Sequence, residues 1–138
     1  MREFIKRLNK EKGVTVFLTT HYMAEADYLC NRVAIIDKGR IVALDTPKKL
    51  KRRLKKENVI EMDVIGLKVK VLNEIKKLDG VKGITYREHE LRLIIKDMGL
   101  LDEVLKILKR NKVKFYSIHT EEPSLEDVFL YLTGRELK

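Results

Sequence analysis

The imidazole of His21 is the first side chain in this sequence whose placement could do chemistry. It follows "VTVFLT", Val14–Thr19, and a helical pattern begins directly after it. A β-prone apolar run without polar alternation is the pattern of a strand buried on both faces of a parallel sheet. The carboxyl end of such a strand borders the crevice where open α/β sheets keep their ligands. There a neutral imidazole can donate one hydrogen bond to a phosphate oxygen or orient a water, while its other nitrogen is held by the protein. A histidine that only satisfies loop backbone groups is the plain alternative, and spacing by itself favours that alternative.

The remaining chemistry-bearing residues give weaker signals. His89 falls in an expected hairpin turn and His119 near a strand end. Neither has partners in the sequence that suggest a triad, so no metal ligand is read and both are taken as surface or structural histidines. Tyr86, Phe115 and Tyr116 could stack bases on an RNA-binding sheet, but the K/R-G-F/Y-G/A-F-V-x-F/Y pattern is missing and alternating core aromatics explain them. In "KKLKRRLKK", Lys48–Lys56, Leu50 and Leu54 lie four apart, giving a helix with one narrow apolar edge and a cationic remainder. The reading is a solvated connecting helix; the functional version is attraction to an anionic lipid surface or to nucleic acid.

Positioning these residues takes two differently patterned halves. Phe4, Ile5 and Leu8 predict an amphipathic helix over Met1–Lys12, and Met23, Ala26, Leu29 and Cys30 a second over Tyr22–Arg32. Val33–Leu44 reads as a hairpin around Asp37, Lys38 and Gly39, after which Thr46 and Pro47 cap the basic helix. From Val59 the pattern changes: Ile60, Met62 and Val64 point one way, Glu61 and Asp63 the other. A helical stripe from Leu67 to Leu78, two strands meeting near His89, a helix through Leu101–Leu108 and a strand in "KFYSIHT" follow. That order, strand-helix-strand-strand-helix-strand, predicts a ferredoxin-like antiparallel sheet with two helices on one face. A last helix begins at Ser124, with Asp127 three residues later and Gly134 as its stop. The first half has one buried strand and no neighbours for it, so it reads as the end of a larger domain.

Composition narrows the class. The chain has 138 residues, 44% of them hydrophobic, which suits an ordinary globular domain or two small ones. No apolar run approaches the roughly 18 residues needed to span a bilayer. Cys30 is the sole cysteine, which excludes an internal disulfide and fits a reducing compartment. A net charge of +9 points to anionic partners.

The stretch "VTVFLTTHYMAEADYLCNRVAIIDKGRIVALDTPKKL" resembles the region around the switch histidine, or H-loop, of ABC transporter ATP-binding subunits, above all those of ABC-2 type exporters. Strand, Thr-His, Met-x-Glu-Ala helix, hairpin and Pro-x-x-Leu follow in the family's order. "EPSLEDVFLYLTGREL" is similar to the end of the C-terminal extension that such subunits carry. Two positions depart from the pattern: Asn31 stands where an Asp is usual, and Asp45 where a Gly commonly precedes the Pro motif.

The resemblance implies an α/β fold in which residues 1–47 end a P-loop NTPase-type nucleotide-binding domain. Residues 48–58 would form the basic connecting helix and 59–138 a ferredoxin-like accessory domain with its terminal helix. It implies that His21 contacts the γ-phosphate of ATP and helps to hold the attacking water, with ATP and Mg²⁺ as cofactors of a complete subunit. Permease subunits and a second ATP-binding subunit would be its partners, at the cytoplasmic face of the membrane. No G-x-x-x-x-G-K-[ST] loop, signature loop or apolar strand ending in paired acidic residues occurs in the sequence. The chain is therefore expected to be a C-terminal fragment that hydrolyses no ATP and takes no cofactor alone, its accessory domain regulatory or dimer-stabilising. The competing expectation is a free-standing basic ferredoxin-like module that binds nucleic acid or a small effector.

Overall fold

The computed structural model describes residues 2–134. Helix α1 (Arg2–Lys12) buries none of its side chains, and residues 13–22 run on without regular structure. Helix α2 (Met23–Leu29) leads into an antiparallel hairpin of β1 (Val33–Asp37) and β2 (Arg40–Asp45). Lys38 and Gly39 between them both have positive φ, which matches the right-handed twist of the flanking strands. Thr46 then caps α3 (Pro47–Arg52), its hydroxyl accepting from Lys49 N at 3.2 Å, with Pro47 in the first turn.

The rest of the chain is built on one four-stranded antiparallel sheet. Strand β3 (Asn58–Ile65), helix α4 (Val69–Lys76), strands β4 (Val81–Arg87) and β5 (Glu90–Ile95), helix α5 (Gly99–Arg110) and strand β6 (Lys114–Glu121) arrange in the strand order β4-β5-β3-β6. Alternation decides the two faces. Ile60, Met62, Val64, Leu91, Leu93 and Ile95 pack with Val71 and Ile75 of α4 and Val104 and Leu108 of α5 in a fully enclosed core. Each such side chain contributes roughly 1.5–3 kcal/mol by leaving water.

The opposite face carries a second core and the terminal helix α6 (Leu125–Thr133). Val59 of β3 and Ile94 of β5 meet Leu125, Val128, Phe129 and Leu130 of α6. The same cluster takes in Ala26 of α2, Ile35 and Ala43 of the hairpin, and Leu50 and Leu54. Helix α6 is thus the element that joins the hairpin end of the molecule to the sheet. It lies so close to β4 that a Cβ at Gly83 would stand 2.7 Å from Leu130 Cδ2. Ser124 and Asp127 form the expected capping box, and Gly134, at φ 72, closes the helix in the left-handed conformation.

Three expectations need correction. The parallel strand over Val14–Thr19 is not formed: Phe17 is 93% exposed, the described strands all pair elsewhere, and Val14 bonds back to α1, its amide donating to Leu8 O and its carbonyl accepting from Asn9 Nδ2. The helix expected through Asn58 stops at Arg52 and continues as turns. Its narrow apolar edge, Leu50 and Leu54, is wholly buried in the cluster with α6, while Lys48, Lys49, Arg52, Arg53, Lys55 and Lys56 are exposed. The helix over Tyr22–Arg32 is shorter at both ends, since Cys30 is already extended.

Candidate functional site

His21 sits in the irregular segment at the threshold of α2, exposed to solvent. The segment is shaped locally. Tyr22 N donates to Thr20 Oγ1 at 2.9 Å, and Tyr22 O accepts from the amides of Glu25 and Ala26 as the first turn of α2. The ring of Tyr22 lies beside the imidazole, centroids 4.5 Å apart and tilted by 30°. Neither ring nitrogen of His21 has a hydrogen-bond partner among the described residues. An imidazole so placed can donate to or accept from an incoming group without breaking an internal contact.

The ground under His21 is held from both sides. Tyr28 of α2 donates to Glu3 Oε1 at 2.5 Å and has Lys6 Nζ 4.0 Å from its ring centre, which ties α1 to α2. That carboxylate, by accepting a hydrogen bond from the phenol O–H, raises the Tyr28 pKa. On the far side of α2, Asp27 takes Lys51 Nζ at 3.0 and 2.8 Å, which links α2 to α3. Cys30 is half-buried and packs against the second core, where desolvation pushes its thiol pKa up.

A second constellation lies on the sheet face that α6 partly covers. Glu61, Arg92 and His119 are direct cross-strand neighbours, Glu61 opposite Arg92 on β5 and opposite His119 on β6. Arg92 makes a bidentate fork to Asp127, with Nε to Oδ1 and Nη2 to Oδ2 both at 2.8 Å, and gives Nη1 to Glu61 Oε2 at 2.6 Å. Asp127 is the buried charged side chain of the described residues, and it also accepts from Ser124 N. Hydrogen bonding to Asp127 drives the Arg92 pKa further up. A cleft of about 290 Å³ opens beside this network, lined by Thr85, Arg87, Glu90 and Glu126 as well. Glu90 has a raised pKa because its carboxyl hydrogen-bonds to that of Glu61.

His119 has the partners that sequence reading denied it. Its Nδ1 donates to Ser117 O at 3.0 Å, and Nε2 lies 2.8 Å from Glu121 Oε1 and 3.8 Å from Glu61 Oε1. The bond to the Ser117 carbonyl, then that to Glu121, raise its pKa above the ordinary imidazole value. The cross-strand phase of Glu61, Arg92 and His119 was the signal: all three take polar positions on strands that a split βαβ order makes neighbours. His89 is exposed in the β4–β5 turn as expected, and the structure does not bring His21, His89 and His119 together. Tyr86 and Phe115 pack toward the α4/α5 core, so they are not presented as stacking platforms. Tyr116 is half-exposed.

The profile described as "ATP-binding protein DrrA1-3-like, C-terminal domain" matches residues 46–133. The linearmycin resistance ATP-binding protein LnrL of Bacillus subtilis is 37% identical over 99% of this chain and 44% of its own length. A fluoroquinolones export ATP-binding protein of Mycobacterium tuberculosis is 38% identical over 93% of this chain and 36% of its own. The daunorubicin resistance ATP-binding protein DrrA2 of Streptomyces coeruleorubidus is 38% identical over 88% and 39%. The chain spans less than half the length of these relatives.

Proposed function

We propose, from the premise that this chain belongs to the DrrA1-3-like family of ABC transporter ATP-binding proteins, that it works as the C-terminal part of a subunit coupling ATP binding and hydrolysis to export. In this reading residues 1–47 complete a nucleotide-binding domain, and His21 carries the contact to the γ-phosphate. The observation that carries it is the bare apolar run before that imidazole. Val14, Val16 and Phe17 are exposed, outside both cores, and lead directly into a histidine with both ring nitrogens unengaged. A run of that composition is stable beside other strands of a sheet, so the reading supplies them from additional polypeptide. The 138 residues contain no phosphate loop or acidic strand end, so the cradle for ATP and the ligands of Mg²⁺ come from there too.

His21 needs little more than position for this role. Phosphoryl transfer depends on placed charge and hydrogen bonds around the transferring group, and one donor aimed at a terminal oxygen acts on the charge there. The turn at Thr20–Tyr22 and the contacts of Tyr28 and Asp27 fix where α2 begins, and therefore where the ring stands.

We read residues 59–138 as the accessory unit and as ferredoxin-like: the order β4-β5-β3-β6 and two helices on one face support this. Its role is regulatory or dimer-stabilising, exerted through α6, which touches α2, α3 and β4. Among the described residues no helix is long and apolar enough to cross a membrane, and the reading places the subunit against permease subunits at the cytoplasmic face.

The test uses the longer polypeptide that carries a phosphate loop. His21→Ala there should slow ATP hydrolysis by roughly 10²–10³-fold, the scale of losing one transition-state donor. Nucleotide affinity should stay within about threefold. Unchanged turnover, or lost binding, would overturn the assignment of His21.

A further inference from the structure

We propose that His119, Glu121 and Glu61 form a site for a first-row divalent cation of the Zn²⁺, Co²⁺ or Ni²⁺ class, on the α6 side of the sheet. The reading is independent of any nucleotide contact at His21.

The argument begins with the backbone. Along β3 and β6 the register passes from Glu61–His119 to Asp63–Tyr116, so Ser117 and Ile118 together oppose Met62. That is a β-bulge, and Ser117 holds φ 50, a conformation rarely adopted by a residue with a side chain. Bulges re-aim side chains, and this one sets the Ser117 carbonyl under the imidazole, where it accepts from Nδ1. With Nδ1 carrying the proton, Nε2 of the neutral ring presents its lone pair to the two carboxylates. Lone pair against carboxylate oxygen at 2.8 Å is repulsive unless a cation lies between them, either a proton or a metal ion. The backbone-held second nitrogen is the usual arrangement of a metal-ligating histidine.

The distances suit an ion. Nε2 is 2.8 Å from Glu121 Oε1 and 3.8 Å from Glu61 Oε1, and the three atoms lie within 4.8 Å of one another. Ligand bonds of about 2.0–2.2 Å in a tetrahedral site put donor atoms roughly 3.4 Å apart. Against that spacing the Glu121 contact at 2.8 Å would widen by about 0.6 Å and the Glu61 contact at 3.8 Å would close by about 0.4 Å. Arg92 binds Oε2 of Glu61 and Oε1 faces the imidazole, while Asp127 answers the guanidinium charge; the proton shared between the Glu90 and Glu61 carboxyls would be given up when Glu61 ligates. One imidazole with two carboxylates selects borderline transition ions over Mg²⁺ or Ca²⁺, which prefer all-oxygen shells. Three protein ligands leave further positions for water.

The experiment titrates the 138-residue chain with ZnCl₂ and with CoCl₂, following histidine ring nitrogens by long-range ¹H–¹⁵N NMR and cobalt by its visible absorption. One equivalent of Zn²⁺ should shift Nε2 of His119, Co²⁺ should develop visible bands, and a large excess of Mg²⁺ should displace neither. His119→Ala and Glu121→Gln should each weaken binding at least about tenfold. The proposal is overturned if His119→Ala keeps its Zn²⁺ affinity, if the shifts fall on His21 or His89 instead, or if no stoichiometric binding occurs. Should a variant fail to fold, the ring-nitrogen shifts in the unaltered chain decide the matter alone.

Discussion

Val14–Leu18 and Leu91–Ile95 are both five-residue stretches that pattern alone would bury in a sheet. Leu91, Leu93, Ile94 and Ile95 are at most 1% exposed, whereas Val14 is 44% and Phe17 93% exposed. Strand β5 lies between β4 and β3, with α4 and α5 over one face and α6 over the other. Among the described residues Val14–Leu18 has no strand on either side. Apolar content records what a segment requires; the presence of hydrogen-bonding neighbours decides whether it becomes a strand.

The sharpest way to break the comparison is to truncate one side chain in each stretch. Leu93→Ala should cost about 2–5 kcal/mol, the range for a core leucine that leaves a cavity. Phe17→Ala should change stability by less than about 0.5 kcal/mol. Urea denaturation followed by circular dichroism measures both. Equal losses would mean that the apolar run packs within this chain after all.

The next largest effect is expected where the two ends of the molecule are joined. Asp127→Ala removes the capping box of α6 and leaves Arg92 with its fork unanswered. Breaking a fully buried pair costs about 3–5 kcal/mol, and the partial exposure of Arg92 places this one lower, at about 2–3 kcal/mol. Asp127→Asn, which keeps an acceptor for Ser124 N, should lose less. Both are read from the same urea transitions, and a cost under about 1 kcal/mol would show that α6 is held by its apolar face alone.

Gly83→Ala sharpens the comparison from the packing side. A methyl group there meets Leu130 at well under contact distance, and the obstruction is the branched end of a buried side chain. Overpacking of this kind costs about 1–3 kcal/mol. In hydrogen exchange the variant should lose protection along β4 and α6 before β3, which sits between β5 and β6. Uniform loss across the sheet would mean that α6 is not a separable cover.

What the sequence made legible follows the same division. The elements from Asn58 onward emerge at their expected places, because alternation in β3 and the stripe of α4 describe surfaces that meet each other. Ser124 and Asp127 were readable as a cap, since a capping box is complete within four residues. That Asp127 also holds Arg92 was not readable, because the two lie 35 residues apart and meet through sheet register. The surroundings of His119 are illegible for a different reason: Ser117 and Glu121 are only two residues away, but the bulge that turns the Ser117 carbonyl under the ring leaves no compositional mark, and Glu61 arrives only through sheet register. Leu50 and Leu54 are readable as an apolar edge from their spacing, but that α6 covers this edge is not, because the residues that meet it lie at the far end of the chain.

The smallest predicted effect concerns His119 in chelator-treated protein. Its ring bonds to Ser117 O and Glu121 favour the protonated form, so its NMR titration midpoint should lie above 6.5. A group whose pKa is raised by folding binds its proton more tightly in the native state. Its contribution is fully present below about pH 6.5 and is lost as pH rises through the higher native value. Stability should therefore decline slightly across the interval just above pH 6.5, and Glu121→Gln should flatten that decline and lower the midpoint. A midpoint at or below 6.5 would mean that the carboxylates do not share a proton with this ring, and the bulged end of β6 would then be as open electrostatically as the bare run before His21.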